Sequence, residues 1–449
     1  MRWLTVTSAI GFIIALLFGL MAAAYAISAA LEDLGWLSNL VLLMVVFVMI
    51  IATLLTVAER KWSAMMQDRI GPNRARIALP GLKDRSLGGL PHVASDALKM
   101  LFKESFIPKN ANRVLFNLGP VLAFAPVFAL FAVVPAGPSV MVGGQRVDMV
   151  VSQPDFGLLY VFAIASLAVY GTSLAGWSSN NKLALLGGVR AASQMISYEV
   201  ALGLSLVGMM VAMSTVQLPA MVAGQERYLW EATLDLGGSS LTLGVPAWGI
   251  LLQPVGFVLF FAAAFAETKR APFDVPEGES EIIGYFVEYS GMKFGMFMIS
   301  EFVEIVILSA ITTSIFFGGH AVPFVGAALA RSDFFLSHPI LWGAFSGTVF
   351  WVKVLMLCWL QLVIRWTFPR FRYDQIQALG WKMLLPAGLL NLFVSAALVL
   401  WDPSLRLLAV LGLLEIGAVM ALTTTRRAPE ADHPAEAAPA DAAHAAPPH

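Results

Sequence analysis

Six acidic residues lie close together in one stretch of the chain. They are Glu267, Asp274, Glu277, Glu279, Glu281 and Glu288. The basic residues nearby are only Lys269, Arg270 and Lys293. Pro272 and Pro276 prevent a continuous helix there, so the stretch is predicted to be a loop. Like charges this close raise one another's pKa values, so part of the set is expected to hold protons near neutral pH. The loop indicates proton exchange, with a solvated acidic loop as the alternative.

Ionisable residues also interrupt long apolar stretches of the sequence. They are Glu199, Glu301, Glu304, Lys353 and Glu415. Each costs about 2.5–3.5 kcal/mol at the centre of a bilayer, so each needs a polar cavity or a partner. Lys353 is a candidate to pair with a glutamate, and Glu415 is interpreted as structural or peripheral. Glu199, Glu267, the acidic loop and Glu301 together predict a series of proton-exchanging carboxylates; single contacts between helices are the alternative.

A second polar loop follows Glu59-Arg60-Lys61 and includes Arg69 and the turn sequence Gly71-Pro72-Asn73. This loop predicts a fixed polar entrance to a cavity at the membrane surface. The alternative is a positively charged anchor without a cavity. Residues 90–106 then predict an amphipathic helix in the interface plane, because apolar and polar residues separate at a 3.6-residue period. The apolar side is Leu90, Val93, Ala97 and Leu101, and the polar side is His92, Asp96, Lys99 and Lys103. This helix either anchors the loop or walls a cavity that opens to lipid.

The composition explains where such residues must lie. Of 449 residues, 58% are hydrophobic and 13% are charged, and the mean hydropathy is +0.77. Soluble domains carry about 25% charged residues, so a soluble enzyme and a disordered chain are excluded. The single cysteine, Cys358, excludes a disulfide framework and a cluster held by four thiolates of this chain. No histidine lies inside an apolar run, which argues against haem between intramembrane histidines, and no metal site is predicted.

Ten apolar stretches are long enough to cross a bilayer as helices. They are 8–30, 37–58, 114–135, 157–176, 195–213, 246–266, 296–318, 340–364, 383–401 and 405–422. With both termini on one side, that side receives 23 of the 28 Lys and Arg residues. Because basic loops stay in the cytoplasm, both termini are predicted to be cytoplasmic, with short or acidic turns outside. The first stretch could instead be a cleaved signal peptide ending near Ala24-Tyr-Ala26, and the Ala/Pro-rich tail 426–449 is predicted to be disordered.

Several long motifs occur in an order that resembles one membrane subunit of the respiratory NADH:quinone oxidoreductases (complex I), the bacterial counterpart of mitochondrial subunit 1. The motifs are Glu59-Arg-Lys61, Arg69-Ile-Gly-Pro-Asn73, Asp96-Ala-Leu-Lys99, Ala175-Gly-Trp-Ser-Ser-Asn-Asn-Lys182, Ser197-Tyr-Glu199, Glu267-Thr-Lys-Arg-Ala-Pro-Phe-Asp274, Pro276-Glu-Gly-Glu279, Glu288-Tyr-Ser-Gly-Met-Lys-Phe294 and Arg370-Phe-Arg-Tyr-Asp-Gln375. The matches extend from about residue 59 to 401. The resemblance implies a membrane subunit without a redox centre of its own, whose helices enclose a tunnel that admits quinone from the lipid.

The resemblance also implies roles for individual residues. The proton-coupling carboxylates would be Glu199, Glu267, Asp274, Glu277, Glu279, Glu281, Glu288 and Glu301. The quinone tunnel and its loops would include Arg60, Arg69, Asp96, Lys99 and Arg190. Quinone would be the substrate, while iron–sulfur clusters, FMN and NADH would be bound by partner subunits of the peripheral arm. Other membrane-arm subunits would be further partners, and the location would be the bacterial inner membrane.

The sequence departs from the family pattern in places. The predicted organisation is an extra amino-terminal helix in 1–36, a tunnel core in 37–401 with cytoplasmic loops 59–113 and 267–293, an extra helix in 402–425, and the tail. Additional residues also lie between Asn73 and Asp96, including 78–88. The alternatives are the related subunit of an energy-converting hydrogenase or another donor dehydrogenase, a stand-alone proton-coupled transporter, and an inert scaffold. A transporter would predict helices broken at repeated positions.

Overall fold

A computed structural model describes residues 2–31, 34–75, 87–236, 239–278 and 281–425. Its helices are α1 (Arg2–Ala30), α2 (Gly35–Met66), α3 (Pro91–Phe102), α4 (Arg113–Val133), α5 (Gly157–Ser178), α6 (Lys182–Met213), α7 (Leu218–Gln225), α8 (Gly249–Leu252), α9 (Pro254–Glu267), α10 (Gly291–Phe316), α11 (Gly326–Ala330), α12 (Asp333–Ser337), α13 (Pro339–Thr367), α14 (Tyr373–Trp401) and α15 (Arg406–Thr425). Its strands are β1 (Val140–Val142), β2 (Gln145–Val147), β3 (Tyr228–Leu236) and β4 (Ser239–Pro246). The predictions for Glu279, for most of 78–88 and for the tail 426–449 lie outside the described residues.

Eight of the described helices are long and apolar enough to cross a membrane: α1, α2, α4, α5, α6, α10, α13 and α14. The apolar helix α9 is shorter, with 14 residues, and α15 adds 20 residues near the carboxyl-terminal end of the described chain. These ten helices correspond to the ten predicted stretches. The prediction of an all-α polytopic membrane bundle is therefore confirmed.

One predicted stretch is not a continuous helix. The sequence predicts a single span over 246–266, but α8 ends at Leu252, Gln253 leaves the helical region with φ −144° and ψ 67°, and α9 starts at Pro254. Proline lacks a backbone N–H and restricts the residue before it, so a helix is readily interrupted here. The span is thus broken near one end.

The two ends of the bundle differ in their connections. One end, the basic end, carries the connections α2–α4, α5–α6, α9–α10 and α13–α14. At the opposite end, where the sequence predicts short or acidic turns, two connections contain β-hairpins. In β1–β2 the turn residues Gly143 and Gly144 have φ +61° and +88°, the geometry of a two-residue type I′ turn.

Contacts at the opposite end fix how the first and last helices run. Near the end of α1, Tyr25 Oη donates to Pro138 O at 2.7 Å. At the start of α15, Arg406 Nε donates to Leu229 O at 3.2 Å. Since α1 ends and α15 begins at the opposite end, α1 starts and α15 finishes at the basic end. This agrees with the pairing of termini and basic loops expected from charge.

Helix α10 lies at the centre of the bundle and positions much of the polar interior. Every residue from Ser300 to Phe316 is buried, and the helix packs against α2, α4 and α13. A helix that is buried on all sides can carry polar groups only if neighbouring elements satisfy them. The partners of Glu301 and Glu304 on this helix therefore decide what the site can do.

Candidate functional site

A cavity of about 250 Å³ lies at the basic end between α2, α10, α13 and the segment that follows α9. It is lined by Thr56, Glu59, Arg60, Arg270, Glu277, Phe286, Phe294, Phe297, Met298, Glu301, Phe302 and Arg365. Aromatic walls with a few convergent polar groups are typical of sites for small, largely apolar molecules. The cavity is the first candidate for a ligand site.

A buried ionic network forms the polar wall of this cavity. Arg270 Nη1 lies 2.5 Å from Glu59 Oε2, and its Nη2 lies 3.4 Å from Glu301 Oε2. Arg365 Nη1 lies 2.7 Å from the other oxygen of Glu59. The Arg270 guanidinium also lies 4.0 Å from the ring centroid of Phe302. Because the side chains of Glu59, Arg270 and Glu301 are at most 14% exposed, a change in one charge must be compensated inside the network.

Glu277 adds a further carboxyl to the network through a hydrogen bond with Glu301. Burial raises the pKa of Glu277 well above its usual value, and the nearby Glu301 raises it further. Among the described residues, Glu277 Oε1 and Arg270 Nε are buried without a hydrogen-bond partner. Buried polar atoms are normally satisfied, so these two fit a cavity that receives a ligand with polar groups.

Asp274 lies on the same segment, and its environment favours the protonated form. Burial raises its pKa to about 6, although Arg370, Arg365 and Arg270 act to lower it. Its Oδ1 atom is buried and has no partner among the described residues. A carboxyl with a pKa near the working pH exchanges protons most readily, so Asp274 is suited to proton transfer.

A second, very small cavity of about 20 Å³ brings three carboxylates together. Glu199 of α6, Glu267 of α9 and Glu304 of α10 line it among apolar side chains. Lys269 Nζ lies 3.8 Å from Glu304 Oε2 and partly balances their charge. A volume of this size can hold about one water molecule. The arrangement places Glu199 and Glu267 together as the sequence suggests; their role in proton transfer remains a prediction.

The acidic segment is held in place by helix α6 and by the region after α13. Gln194 Nε2 donates to Ala266 O at 2.8 Å and to Phe273 O at 2.9 Å. Phe371 N donates to Pro272 O at 3.0 Å. These contacts hold the segment against the bundle. Its apolar residues favour the same position, because there they are buried. The segment is thus mostly an inserted part of the core and not a solvated loop.

Two acids of the predicted series, Glu281 and Glu288, do not line either of these two cavities. Glu281 is exposed and accepts a hydrogen bond of 2.8 Å from Arg190 Nη1, which lowers the pKa of Glu281. Glu288 accepts from Asn181 Nδ2 at 2.7 Å. Both pairs link the segment to α6 and its amino-terminal cap. The structure therefore divides the predicted carboxylates into an inner group at the cavities and an outer group at the surface.

The predicted tunnel residues separate in the same way. Arg60 lines the larger cavity and lies 2.6 Å from Asp96 on α3, and Lys99 lies 3.9 Å from the other Asp96 oxygen. Helix α3, expected over 90–106 and observed over Pro91–Phe102, thus contacts a cavity wall. Arg69 instead donates to Gln67 outside the cavity, and Arg190 lies at the acidic segment.

Sequence reasoning did not identify several residues of the network. Glu59, Arg270 and Arg365 form its centre, and Lys269 pairs with Glu304 at the smaller cavity. The apolar run around Glu304 did indicate that this acid needs a polar cavity or a partner, whereas nothing in the sequence indicates that Arg365 meets Glu59. Lys353 meets its expected glutamate partner only at longer range, through an electrostatic interaction with Glu226. Its ammonium has no carboxylate within ion-pair distance in the described chain and donates instead to the carbonyls of Phe317, Gly319 and Ala321.

Comparison with known proteins agrees with this arrangement. Residues 38–396 match the family described as NADH dehydrogenase. The chain is 38% identical over 354 residues to an NADH-quinone oxidoreductase subunit of Cytophaga hutchinsonii, an alignment that covers 78% of this chain and 93% of that protein. It is 37% identical over 364 residues to NADH-quinone oxidoreductase subunit 8 of Rhodothermus marinus, covering 81% and 97% of the two chains. The chain therefore belongs to the NADH dehydrogenase family, which includes these membrane subunits of the NADH-quinone oxidoreductases.

Proposed function

We propose that this chain is the membrane subunit of an NADH-quinone oxidoreductase that admits quinone to its reduction site and links quinone reduction to proton translocation. The observation that carries the proposal is that helix α10 contributes a carboxylate to each of two cavities, Glu301 to the first and Glu304 to the second. One has aromatic walls and the Glu59–Arg270–Glu301 network, and the next holds Glu199, Glu267 and Glu304. Glu301 and Glu304 lie on one face of α10. A change of charge at Glu301 in the first cavity therefore alters the electrostatic potential at Glu304 in the second.

The chemistry needs protons and compensation of charge. Reduction of a quinone to a quinol takes up two electrons and two protons, and the electrons would come from the iron–sulfur cluster of a partner subunit. Negative charge that develops on the head group is stabilised by the cationic side chains of Arg60 and Arg270. Glu277, whose pKa burial raises, and Asp274, whose pKa is about 6, can exchange protons as this charge develops. Reprotonation of these acids draws on Glu267, Glu304 and Glu199.

The route of entry is proposed to lie beside α3. Apolar side chains such as Leu98, Leu101 and Phe102 are exposed on this helix, as expected for a helix in the lipid interface. Its polar side meets Arg60 at the cavity wall. An apolar tail could remain in lipid while the head group enters the cavity. Arg69 after α2, Lys99 on α3 and Arg190 on α6 do not line this cavity, and contact with partner subunits is the more suitable role for them.

Location and partners belong to the same proposal. The basic end faces the cytoplasm because Lys and Arg concentrate in its loops, and the membrane is the bacterial inner membrane. Peripheral-arm subunits that carry the iron–sulfur clusters, FMN and the NADH site would cover this end. The names of the relatives favour NADH over another electron donor. A stand-alone transporter is disfavoured because broken spans at repeated positions are not found among the described helices.

Two measurements test the proposal. Affinity purification of the tagged chain should recover flavin and iron–sulfur subunits together with NADH-quinone reductase activity. A photoreactive quinone should label peptides of α2 or α10, and excess native quinone should prevent the labelling. Recovery of hydrogenase subunits would instead indicate that hydrogen, and not NADH, is the electron donor. Recovery of the chain alone, without quinone labelling, would contradict the proposed function.

A further inference from the structure

Helix α15 lies beyond the part of the chain that matches the family, yet it is packed into the bundle. Leu405, Leu408 and Ala409 are buried at its start, in a cluster with Leu252 of α8. The side chain of Arg406 binds the carbonyl of Leu229 after α7. The helix therefore adds a specific contact to the broken span α8–α9 and is more than a lipid-facing anchor.

The interruption at Gln253 leaves polar groups that must be satisfied inside the membrane. Gln253 is buried, donates to Ser395 Oγ of α14 at 2.8 Å and accepts from Asn391 Nδ2 at 3.3 Å. The first backbone N–H of α9 belongs to Val255, because Pro254 has none. This N–H faces the carboxylate of Glu415 on α15. A carboxylate at a helix amino terminus is favoured by the helix dipole, which explains an acid at this depth.

Gly412 lets α15 come close enough for this contact. A Cβ atom at residue 412 would collide with the carbonyl oxygen of Leu251 and touch Pro254 Cδ at 3.1 Å. The glycine thus permits backbone-to-backbone approach beside the interruption. Gly417, five residues further along the same helix, has open space where its Cβ would lie. The two glycines form a matched pair for a test.

The broken span is held at both ends. Gln194 on α6 binds the carbonyl of Ala266 at the end of α9, and α14 and α15 hold its beginning. A helix of 14 residues is about 20 Å long and moves as a rigid unit. Its last residue is Glu267. A shift at Val255 would therefore be transmitted along the helix to Glu267.

We propose that Glu415 is a positioning residue that, with Gly412, fixes the axial position of α9 and thereby the position of Glu267 in the smaller cavity. This inference rests on the proposed function and deepens it. The charged and titratable groups that face Glu267 are Glu304 on α10, Lys269 directly after α9, and Glu199 on α6. A small displacement of α9 changes all three distances together.

The first test compares Gly412→Val with Gly417→Val in the purified, fully assembled complex. Gly412→Val is expected to lower the kcat of quinone reduction by up to about tenfold and to shift its pH profile, with KM nearly unchanged, because a 1 Å misplacement can cost up to ~10²-fold. Gly417→Val should behave like the parent. Equal behaviour of the two variants, or a loss of assembled complex with an unaltered pH profile per complex, would refute the positioning role.

The second test separates position from activity. Spin labels at the exposed residues Val258 and Leu413 report the distance between α9 and α15. Glu415→Leu should broaden or lengthen this distance and shift the pH profile, whereas Glu415→Gln, which keeps an acceptor for the Val255 N–H, should largely restore both. A changed distance with parental kinetics would overturn the inference. A parent complex that does not reduce quinone would instead refute the proposed function. The distance between the two spin labels would still report how α15 packs against α9.

Discussion

Buried charge is handled differently at the two ends of the bundle. At the basic end, Arg270 meets two carboxylates, and polar atoms of Arg270 and Glu277 lack partners among the described residues. At the opposite end, Lys353 uses its three donors on carbonyls at 2.7–2.9 Å and lies 4.4 Å from the Trp248 ring. Backbone carbonyls do not titrate, whereas carboxylates do. The partners of Arg270 can therefore change their charge, whereas the carbonyls around Lys353 cannot, and we expect proton chemistry at the basic end.

One histidine near Lys353 contrasts with Asp274 in its response to pH. His320, in the loop after α10, is buried, and burial with the Lys353 charge lowers its pKa to about 3. It is therefore neutral across the physiological range. Asp274 at the basic end, with a pKa of about 6, changes charge within that range. The comparison gives four predictions, ordered from the largest expected effect to the smallest.

Arg270→Met should have the largest effect because it leaves Glu59 and Glu301 buried with less compensation. Breaking a buried ion pair on one side costs about 3–5 kcal/mol. Little assembled complex is expected, and turnover of the remainder should be strongly reduced, as measured by native gel quantification and quinone reduction. The control is Arg146→Met, which removes an exposed pair with Asp148. Parental turnover in Arg270→Met would show that the network is not needed.

Glu277→Gln and Glu281→Gln contrast an inner and an outer acid of one segment. The inner substitution removes a proton-exchanging group from the cavity wall, so quinone reduction should fall by about 10²-fold or more, the lower end of the usual contribution of an acid–base group. The outer substitution removes an exposed pair worth about 0–1 kcal/mol, so its effect should be small. Steady-state rates per complex distinguish the two. A larger effect at Glu281 would reverse the division into inner and outer groups.

Lys353→Met should lower stability without changing the pH dependence of turnover. It leaves three carbonyls without their donor, and each unsatisfied buried group costs about 1–3 kcal/mol. The midpoint of thermal unfolding should drop, while the pH profile and the proton yield per quinone reduced stay parental in the complex that assembles. A reduced proton yield with normal quinone reduction would instead place the opposite end on the proton path.

Asp274→Asn should alter how stability depends on pH. The pKa of the folded state is raised from 3.8 to about 6, so the folded chain holds the proton more tightly than the unfolded chain. This contribution is full below about pH 4 and is lost as pH rises through 6. The asparagine variant should therefore lose less stability than the parent between pH 4 and pH 7. Parallel unfolding midpoints of both proteins over this range would contradict the raised pKa.

Much of the fold is readable from the sequence because membrane burial imposes simple rules. Apolar length predicts helices, and the distribution of Lys and Arg predicts which loops share one end. The acidic segment is also visible, since Pro272 and Pro276 exclude a helix. The break at Gln253 was missed because the apolar run continues through Pro254, and apolar character alone does not report backbone continuity. The hairpin at Gly143 and Gly144 carried a turn signal that was not used.

The composition and motif order determined that this chain is a polytopic membrane protein with carboxylates at one end of its helices. Only the tertiary structure decided which of these carboxylates are buried and which basic side chains they pair with. Glu59 and Arg270 are 211 residues apart in sequence and 2.5 Å apart in space. Glu277 and Glu281 differ by four positions, yet one is partly buried and the other exposed. Local sequence fixes hydrophobicity and backbone preference, whereas the pairing and protonation of buried charges depend on neighbours that only long-range packing supplies.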